Sequence, residues 1–271
     1  PGAGLRGLTG DEALVDAVAA EFNEVLGADL DLSGLFRFVD PAAFLSDAGK
    51  LGLTSTAVDF AQWRLLGAET LIKGAYTLDG EDLTIEARLF DAVNRKLLTG
   101  RRYVGKVEDA RRMAHAFADQ VLKALTGEAG PFNARIAYIS DRNGHKELYL
   151  MEVDGHRPLR ITDHRSIVLN PDFSPVGKEL TFTSYRAGNP DLHRKEIYSG
   201  REARLSRRKG LNISARYRPD GREVALTLSK DGNSELYLIG TDGTVHKRLT
   251  DNWGIDVDAS WSPDGDEVAF V

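Results

Sequence analysis

The sequence contains no cysteine. Disulfides, thiolate metal sites and cysteine nucleophiles are therefore excluded. No apolar run approaches the roughly 18 residues that a membrane-spanning helix needs, so no membrane span is expected. Residues 1–4, Pro-Gly-Ala-Gly, have neither the charged start nor the apolar stretch of a signal peptide.

Basic residues are in the minority. The 271 residues include 35 Lys and Arg against 41 Asp and Glu, which gives a formal net charge of −6. Proteins that bind nucleic acids usually have the opposite sign or a dense basic face. The longest basic cluster, Arg207–Lys209, follows Ser206 in a predicted loop and is interpreted as a solvated turn. No nucleic-acid partner is expected.

Motifs of catalysis and cofactor binding are missing as well. No Gly-x-Ser-x-Gly, His-Glu-x-x-His, P-loop or Gly-x-Gly-x-x-Gly motif occurs. The six histidines are scattered without metal-ligand spacing. The segments Asp141-x-Asn143 and Asp231-x-Asn233 lack the glutamate of an EF-hand loop and are interpreted as hairpin turns. We expect a binding protein rather than an enzyme, without catalytic residues, metal or cofactor.

What the sequence does contain is a repeat of constant length. The aromatic residues Phe173, Tyr217 and Trp261 each precede a Pro-x-Gly turn, and they are 217 − 173 = 44 and 261 − 217 = 44 residues apart. The motif Arg-Ile/Leu-Thr/Ser recurs with the same step at 160–162, 204–206 and 248–250. A repeat of about 40–45 residues is typical of the blades of a β-propeller, because each blade must fill an equal wedge. A β-sandwich has no need of a constant step.

Each repeat contains four short segments that are predicted to be strands. Turn signals such as Asp154-Gly155 and Asp242-Gly243 separate them. Residues 130–271 are therefore predicted to form about three propeller blades. Because propellers close with about four to eight blades, the chain is expected to be a fragment; a less favoured alternative is that several chains assemble to close the ring.

Residues 1–129 are predicted to form a separate α/β domain. A capping box at Thr9–Glu12 begins a helix whose apolar face ends before Gly27. Residues Leu35–Val39 are predicted to form a short strand. A brief helix is predicted at 60–66, and an amphipathic helix at 108–125 ends at Gly127. The alternation of apolar and polar residues predicts three more strands, at 70–78, 83–91 and 96–104.

Three segments of this first domain resemble the TolB family of the Tol–Pal cell-envelope system. They are Ser33–Arg37, Ala61–Glu69 and Leu125–Gly130, and they precede Phe132–Tyr138 and the Pro-Asp-Gly repeats. The likeness covers essentially the whole chain. It implies a non-enzymatic scaffold with a six-bladed propeller in the periplasm, which serves outer-membrane integrity and cell division.

The resemblance also implies two protein partners. These are the peptidoglycan-associated lipoprotein Pal, and TolA, which the family contacts through an N-terminal segment. Family members carry that segment and a first strand ahead of the position where this chain begins, and about three more blades follow the position of Val271. This chain is therefore expected to lack the TolA-contacting segment and the second half of the propeller.

The partner surface is expected where the loops that lead into the innermost strands meet at the mouth of the central channel. The repeat places these loops, here called the mouth segments, at 167–170, 211–214 and 255–258. Each combines aliphatic and polar residues and is expected to be exposed. The resemblance implies that Pal docks here, and the predicted contact residues are Ile167, Val168, Asn170, Leu211, Asn212, Ile213, Ser214, Ile255, Asp256, Val257 and Asp258.

Two alternatives stay open at this point. The aliphatic residues of the mouth segments could pack between blades instead of contacting a partner. The repeats could also be the substrate-gating propeller of a serine peptidase whose catalytic domain is missing. Sequence beyond Val271 distinguishes the TolB interpretation from the peptidase. About three more blades favour TolB, and a Gly-x-Ser-x-Gly domain favours the peptidase.

Overall fold

The computed structural model describes residues 5–7, 12–44 and 52–271. The chain divides into two compact units, Pro1–Ala134 and Arg135–Val271, here called the N-terminal unit and the blade unit. The domain boundary between residues 129 and 130 stays a sequence-based prediction. Among the helices in the described ranges, none has the length and hydrophobicity needed to cross a lipid bilayer.

The N-terminal unit contains a four-stranded sheet with the strand order β1-β2-β3-β4. Strands β2, β3 and β4 pair antiparallel in sequence order, and β1 pairs parallel to β2. The three predicted strands are confirmed to within two residues, whereas β1 is absent from the sequence-based prediction. The bounds are β1 Leu5–Gly7, β2 Thr70–Asp79, β3 Asp82–Asp91 and β4 Lys96–Lys106.

Three α-helices accompany this sheet in the described residues: α1 Glu12–Leu32, α2 Phe60–Leu65 and α3 Ala110–Thr126. Short 3₁₀ turns lie at Pro41–Ala43 and Val107–Asp109. Helices α1 and α3 pack on each other, and α3 also packs against β3 and β4. The rings of Phe22 and Phe117 are fully buried. His115 Nδ1 and Asp29 Oδ2, 2.7 Å apart, join α3 to α1 inside this apolar layer.

Two predictions for this unit are wrong. Helix α1 continues through Gly27 to Leu32, since the buried side chain of Leu30 extends its apolar face beyond the glycine. The segment Leu35–Val39 forms no strand, and Leu35 is 63% exposed. The residues of the predicted capping box before Glu12 lie outside the described ranges.

The blade unit, described in full, consists of four antiparallel sheets. In each sheet the strands lie side by side in sequence order, the meander of a propeller blade. The second and third sheets have four strands and the first has three, so partial propeller blades are confirmed. The bounds are β5 Arg135–Ser140, β6 Glu147–Glu152, β7 Leu159–Arg160; β8 Val168–Phe173, β9 Glu179–Ser184, β10 Asp191–Glu196, β11 Glu202–Ser206; β12 Asn212–Tyr217, β13 Glu223–Leu228, β14 Glu235–Gly240, β15 Val245–Arg248; and β16 Ser260–Trp261, β17 Val268–Ala269.

Successive blades bury their faces against each other. Leu148 and Leu150 of the first blade share an apolar cluster with Phe182 of the second. Leu192 of the second blade is buried with Leu226 of the third. Burial of apolar area between neighbours, at about 25 cal/mol per Å², holds the blades side by side. The innermost strands β8 and β12 are consequently neighbours.

Candidate functional site: the mouth segments

Each mouth segment bends at the same place of the repeat. Asn170, Ser214 and Asp258 have positive φ angles of 51°, 54° and 54°. In β8 and β12, the pairing with the next strand slips by one residue at this point. Such a β-bulge bends a strand and re-aims its side chains. The constant step of the sequence therefore reproduces one backbone geometry in three successive blades.

Successive mouth segments are tied together by a repeated hydrogen bond. Thr183, which pairs with Leu169 in the second blade, donates its hydroxyl to the carbonyl oxygen of Asn212 over 3.3 Å. The equivalent Thr227 of the third blade donates to the carbonyl oxygen of Asp256 over 3.4 Å. Each segment thus lies one side chain away from the next. The arrangement forms a continuous edge along three blades.

The exposed part of this edge is mostly apolar. Ile167 is 45% exposed and Ile255 is 69% exposed, and Leu211, at the same repeat position, is half-buried. Trp253, two residues before Ile255, is fully exposed, and the polar Asp258 is exposed as well. Apolar side chains that recur at one position of the repeat offer a partner a row of contacts.

Four of the predicted contact residues have buried side chains: Val168, Asn212, Ser214 and Asp256. Val168, Asn212 and Asp256 occupy one repeat position, and Val168 belongs to the apolar cluster between the first and second blades. Direct contact of these four with a partner is therefore not supported by this structure. Three more, Asn170, Ile213 and Val257, are half-buried.

Comparison with the neighbouring blades explains why Asn212 is buried. In the first blade, the carboxylate of Glu147 accepts hydrogen bonds from the hydroxyl of Thr162 at 2.5 Å and from the backbone N–H of Arg165 at 2.7 Å. Glu235 does the same in the third blade, with Thr250 at 2.6 Å and Asn252 at 3.1 Å. These bonds fix the loop that leads into each mouth segment.

In the second blade the equivalent acid is Asp191, whose side chain is one methylene shorter. The hydroxyl of Ser206 and the backbone N–H of Arg208 donate instead to Oδ1 of Asn212, over 2.5 and 2.9 Å. The amide of Asn212 therefore replaces the glutamate carboxylate. Its role is to hold the loop, which leaves Leu211 as the accessible residue of this segment.

A second buried polar cluster lies beside the mouth segment of the second blade. Glu202 accepts from His193 Nδ1 at 3.0 Å, and it lies 3.2 Å from His164 Nε2. Arg186 and Lys195 add cationic groups at 3.1 and 3.3 Å. Burial alone would raise the pKa of Glu202, but the two histidine bonds and the charges hold its pKa well below the usual range. The cluster fixes the loop 163–167.

Sequence reasoning does not find this cluster, because its histidines are 29 residues apart and lie 38 and 9 residues before Glu202, without a recognised motif spacing. A further contact joins the innermost strands at their opposite ends, where the backbone N–H of Tyr217 donates to Oδ2 of Asp172 over 2.8 Å. Burial raises the pKa of the Asp172 carboxyl, although the Tyr217 bond and Arg216 oppose the shift.

Comparison with known protein families follows the same division of the chain. The TolB amino-terminal domain matches residues 7–98. The TolB beta propeller domain matches residues 122–271, which is more than half of the chain. The chain belongs to the TolB family. The resemblance and the fold class predicted from the sequence are thereby confirmed.

Individual relatives agree with the TolB assignment. The chain is 67% identical over 161 residues to the Tol-Pal system protein TolB of Syntrophotalea carbinolica, and this match covers 59% of the chain and 37% of the relative. The equivalent protein of Geobacter sulfurreducens is 46% identical over 161 residues, with the same two coverages. The chain therefore spans just over a third of the length of these TolB relatives.

A solved TolB structure supports the fold. The crystal structure of TolB from Acinetobacter baumannii matches with a TM-score of 0.79 at 23% identity, over 98% of this chain and 64% of that one. At this identity the match concerns the fold alone. It identifies the four sheets as consecutive blades of a TolB-type propeller.

Proposed function

We propose that this TolB-family chain is a non-enzymatic scaffold of the Tol–Pal cell-envelope system that acts in the periplasm, and that its mouth segments dock the lipoprotein Pal. The names of the relatives support a place in the Tol–Pal system. The observation that carries the docking proposal is the recurrence of an exposed or half-exposed aliphatic side chain three residues before each positive-φ bend. In this role the protein would serve outer-membrane integrity and cell division.

The chemistry of the edge fits a protein partner. Ile167, Leu211 and Ile255 supply an apolar centre, with the exposed indole of Trp253 beside it. Asp258 supplies a polar rim. Protein interfaces typically combine an apolar centre with a polar rim, and tryptophan is enriched among the residues that contribute most to binding.

TolA is the second partner of the proposal. The family resemblance implies that TolA is contacted through a segment at the N-terminal end of the protein, separate from the mouth segments. Under this proposal the two partners use different parts of a full-length TolB protein. In the full-length protein, substitutions at the mouth segments are expected to weaken Pal binding and to leave TolA binding unchanged.

The docking proposal is tested by placing charge at the accessible positions. Ile167→Glu, Leu211→Glu and Ile255→Glu are expected to weaken the binding of purified Pal by about 2 kcal/mol or more each, because a charge would be buried at the centre of an apolar interface. Isothermal titration calorimetry of the purified protein with Pal measures the change.

Val176→Glu is the matched control. Val176 is 72% exposed and lies in the turn after β8, at the other end of the innermost strand. Its substitution adds the same charge and should leave the affinity for Pal within a factor of about two, since exposed positions outside an interface contribute little. Equal affinities for wild type and the three mouth variants would refute docking at this edge.

A further inference from the structure

An arginine and an aspartate form the same ion pair at the end of two blades. In the first blade, Arg160 lies 2.6 Å from Asp163, three residues later. In the third blade, Arg248 lies 2.8 Å from Asp251. Each arginine also contacts the buried glutamate of its own blade, Glu147 or Glu235, at 3.3 and 3.1 Å. Two carboxylates therefore surround each of these guanidinium groups.

The second blade reverses the charge at this position. Adding the 44-residue step to Arg160 and Asp163 gives Arg204 and Arg207. Arg204 keeps one carboxylate, Asp191, at 3.0 Å. Where the neighbouring blades supply a second carboxylate, this blade places another guanidinium. This corner therefore lacks the second carboxylate that compensates the arginine in the other two blades.

Arg207 also lines a surface cavity. The cavity has a volume of about 480 Å³ and lies between the last strand of the second blade and the β14–β15 hairpin of the third; it is lined by Arg204, Leu205, Ser206, Arg207, Arg208 and Gly243. We call it the arginine corner. Of its three arginines, Arg204 is paired with Asp191, whereas Arg207 and Arg208 form no ion pair with the described residues, in a chain whose net charge is −6.

The third arginine is held in place by neutral groups. The guanidinium of Arg208 donates to the hydroxyl of Ser206 at 2.8 Å and to the carbonyl oxygen of Gly243 at 3.0 Å. These bonds order the side chain without neutralising it. A guanidinium fixed in this way has lost part of its rotamer freedom already, and the entropic cost of engaging a ligand is reduced. Arg207 is exposed and able to approach the same ligand.

We propose that the arginine corner binds a carboxylate side chain from an acidic segment of a partner protein. That carboxylate would occupy the place that Asp163 and Asp251 occupy in the neighbouring blades. Guanidinium groups match carboxylates with two parallel hydrogen bonds, which makes this pairing strong and directional. The corner adjoins the mouth segment at 211–214, where Asn212 bonds Ser206 and Arg208, but the proposal does not depend on docking at the mouth segments.

The test uses a synthetic acidic peptide and a charge reversal that copies the neighbouring blades. A fluorescein-labelled hexaglutamate peptide is titrated with the purified protein, and fluorescence anisotropy measures its affinity at low and at physiological salt. Arg207→Asp recreates the internal ion pair with Arg204 and should weaken peptide binding on the order of tenfold. Its melting temperature should equal or exceed that of the wild type.

Arg222→Asp serves as the matched control. Arg222 is an exposed residue in the turn after β12, and its reversal changes the net charge of the protein by the same amount. Peptide affinity should stay within about twofold of wild type, because charges beyond a Debye length are screened. Arg207→Gln removes the cation without creating an ion pair; it should also weaken binding, and it replaces the aspartate variant if that variant is unstable.

Three results would overturn the proposal. The first is equal loss of affinity in the Arg207 and Arg222 variants, which would show a general charge effect. The second is no binding of the peptide by the wild type at millimolar concentration. The third is binding of inorganic phosphate that depends on Arg207 without any binding of the peptide, which would assign the corner to a phosphate ligand.

Discussion

Glu202 shows how much of the blade unit depends on single buried ionic groups. Its carboxylate is shared by two histidines, Arg186 and Lys195. Removing one partner of a buried ion pair usually costs several kcal/mol, because the remaining charges lose their compensation. Glu202 is therefore expected to stabilise the loop 163–167, which precedes the mouth segment of the second blade.

Glu202→Gln is expected to lower the stability at pH 7 by about 3 kcal/mol, as for other buried ion pairs that lose one member. Because the pKa of Glu202 is lowered from its ordinary value of 4.5 on folding, its contribution is complete above that pH. It declines progressively as the pH falls from 4.5 towards the lowered pKa of the folded protein. Urea unfolding at pH 7 and at pH 3.5 should show that the difference between variant and wild type shrinks in acid.

Glu267→Gln provides the comparison for this series, since Glu267 is exposed. Its substitution should change the stability by less than about 0.5 kcal/mol at both pH values. A Glu202 variant with the same urea midpoint as wild type at pH 7 would show that the cluster contributes nothing to folding.

At the scale of elements, two glycines of the N-terminal unit have opposite roles. Gly27 lies inside α1, and a Cβ atom built there meets nothing within 4 Å. Gly127 ends α3 with a φ of +90°, where a side chain is strained. Gly27→Ala should therefore raise the stability by up to about 1 kcal/mol, and Gly127→Ala should lower it by about the same amount. Thermal unfolding of both variants checks the pair, and a loss of stability in the Gly27 variant would contradict this account of α1.

Regular elements with a strong pattern were predictable and short or isolated ones were not. The hairpin of β2 and β3 follows from alternating apolar residues on both sides of a turn, and the structure pairs Leu83 with Leu78. Strand β1 has three residues and owes its existence to parallel pairing with β2, a distant contact that a local pattern does not contain. The segment Leu35–Val39 has suitable residues but no neighbouring strand to pair with in the described part of the chain.

For the whole molecule, the bond between Asp172 and the backbone N–H of Tyr217 connects the innermost strands of two blades. Asp172→Asn keeps a hydrogen-bond acceptor for the N–H of Tyr217 and removes the carboxyl group, whose pKa is raised by burial. Ionisation of the wild-type carboxyl costs stability as the pH rises above 3.8. The free energy of unfolding of the asparagine variant, relative to that of the wild type, should therefore rise between pH 3 and pH 7.

Asp172→Ala separates the hydrogen bond from the charge. It leaves the N–H of Tyr217 without its acceptor, and it should lower the stability at pH 7 by about 1 to 3 kcal/mol. Urea unfolding of the three proteins at both pH values measures these differences. If the alanine variant matched the asparagine variant at pH 7, the bond between the two strands would be unimportant.

The candidate site was predictable in its position and not in its detail. A constant step of 44 residues located three equivalent segments, and this required no knowledge of side-chain direction. The burial of Asn212 could not be foreseen, because it depends on Asp191 being one methylene shorter than Glu147 and Glu235 in the adjacent blades. The charge reversal at Arg207 was visible in the repeat, but its meaning needed the ion pairs of Asp163 and Asp251.

The positive-φ bends at Asn170, Ser214 and Asp258 have a consequence for how this protein can diverge. A left-handed backbone favours glycine, asparagine and aspartate and disfavours β-branched residues. The aliphatic residues three positions earlier, at 167, 211 and 255, can therefore be substituted with few backbone restrictions. Only a few residue types are compatible with the backbone at 170, 214 and 258. Lineages with different partners are expected to vary at 167, 211 and 255 and to keep small or polar residues at 170, 214 and 258.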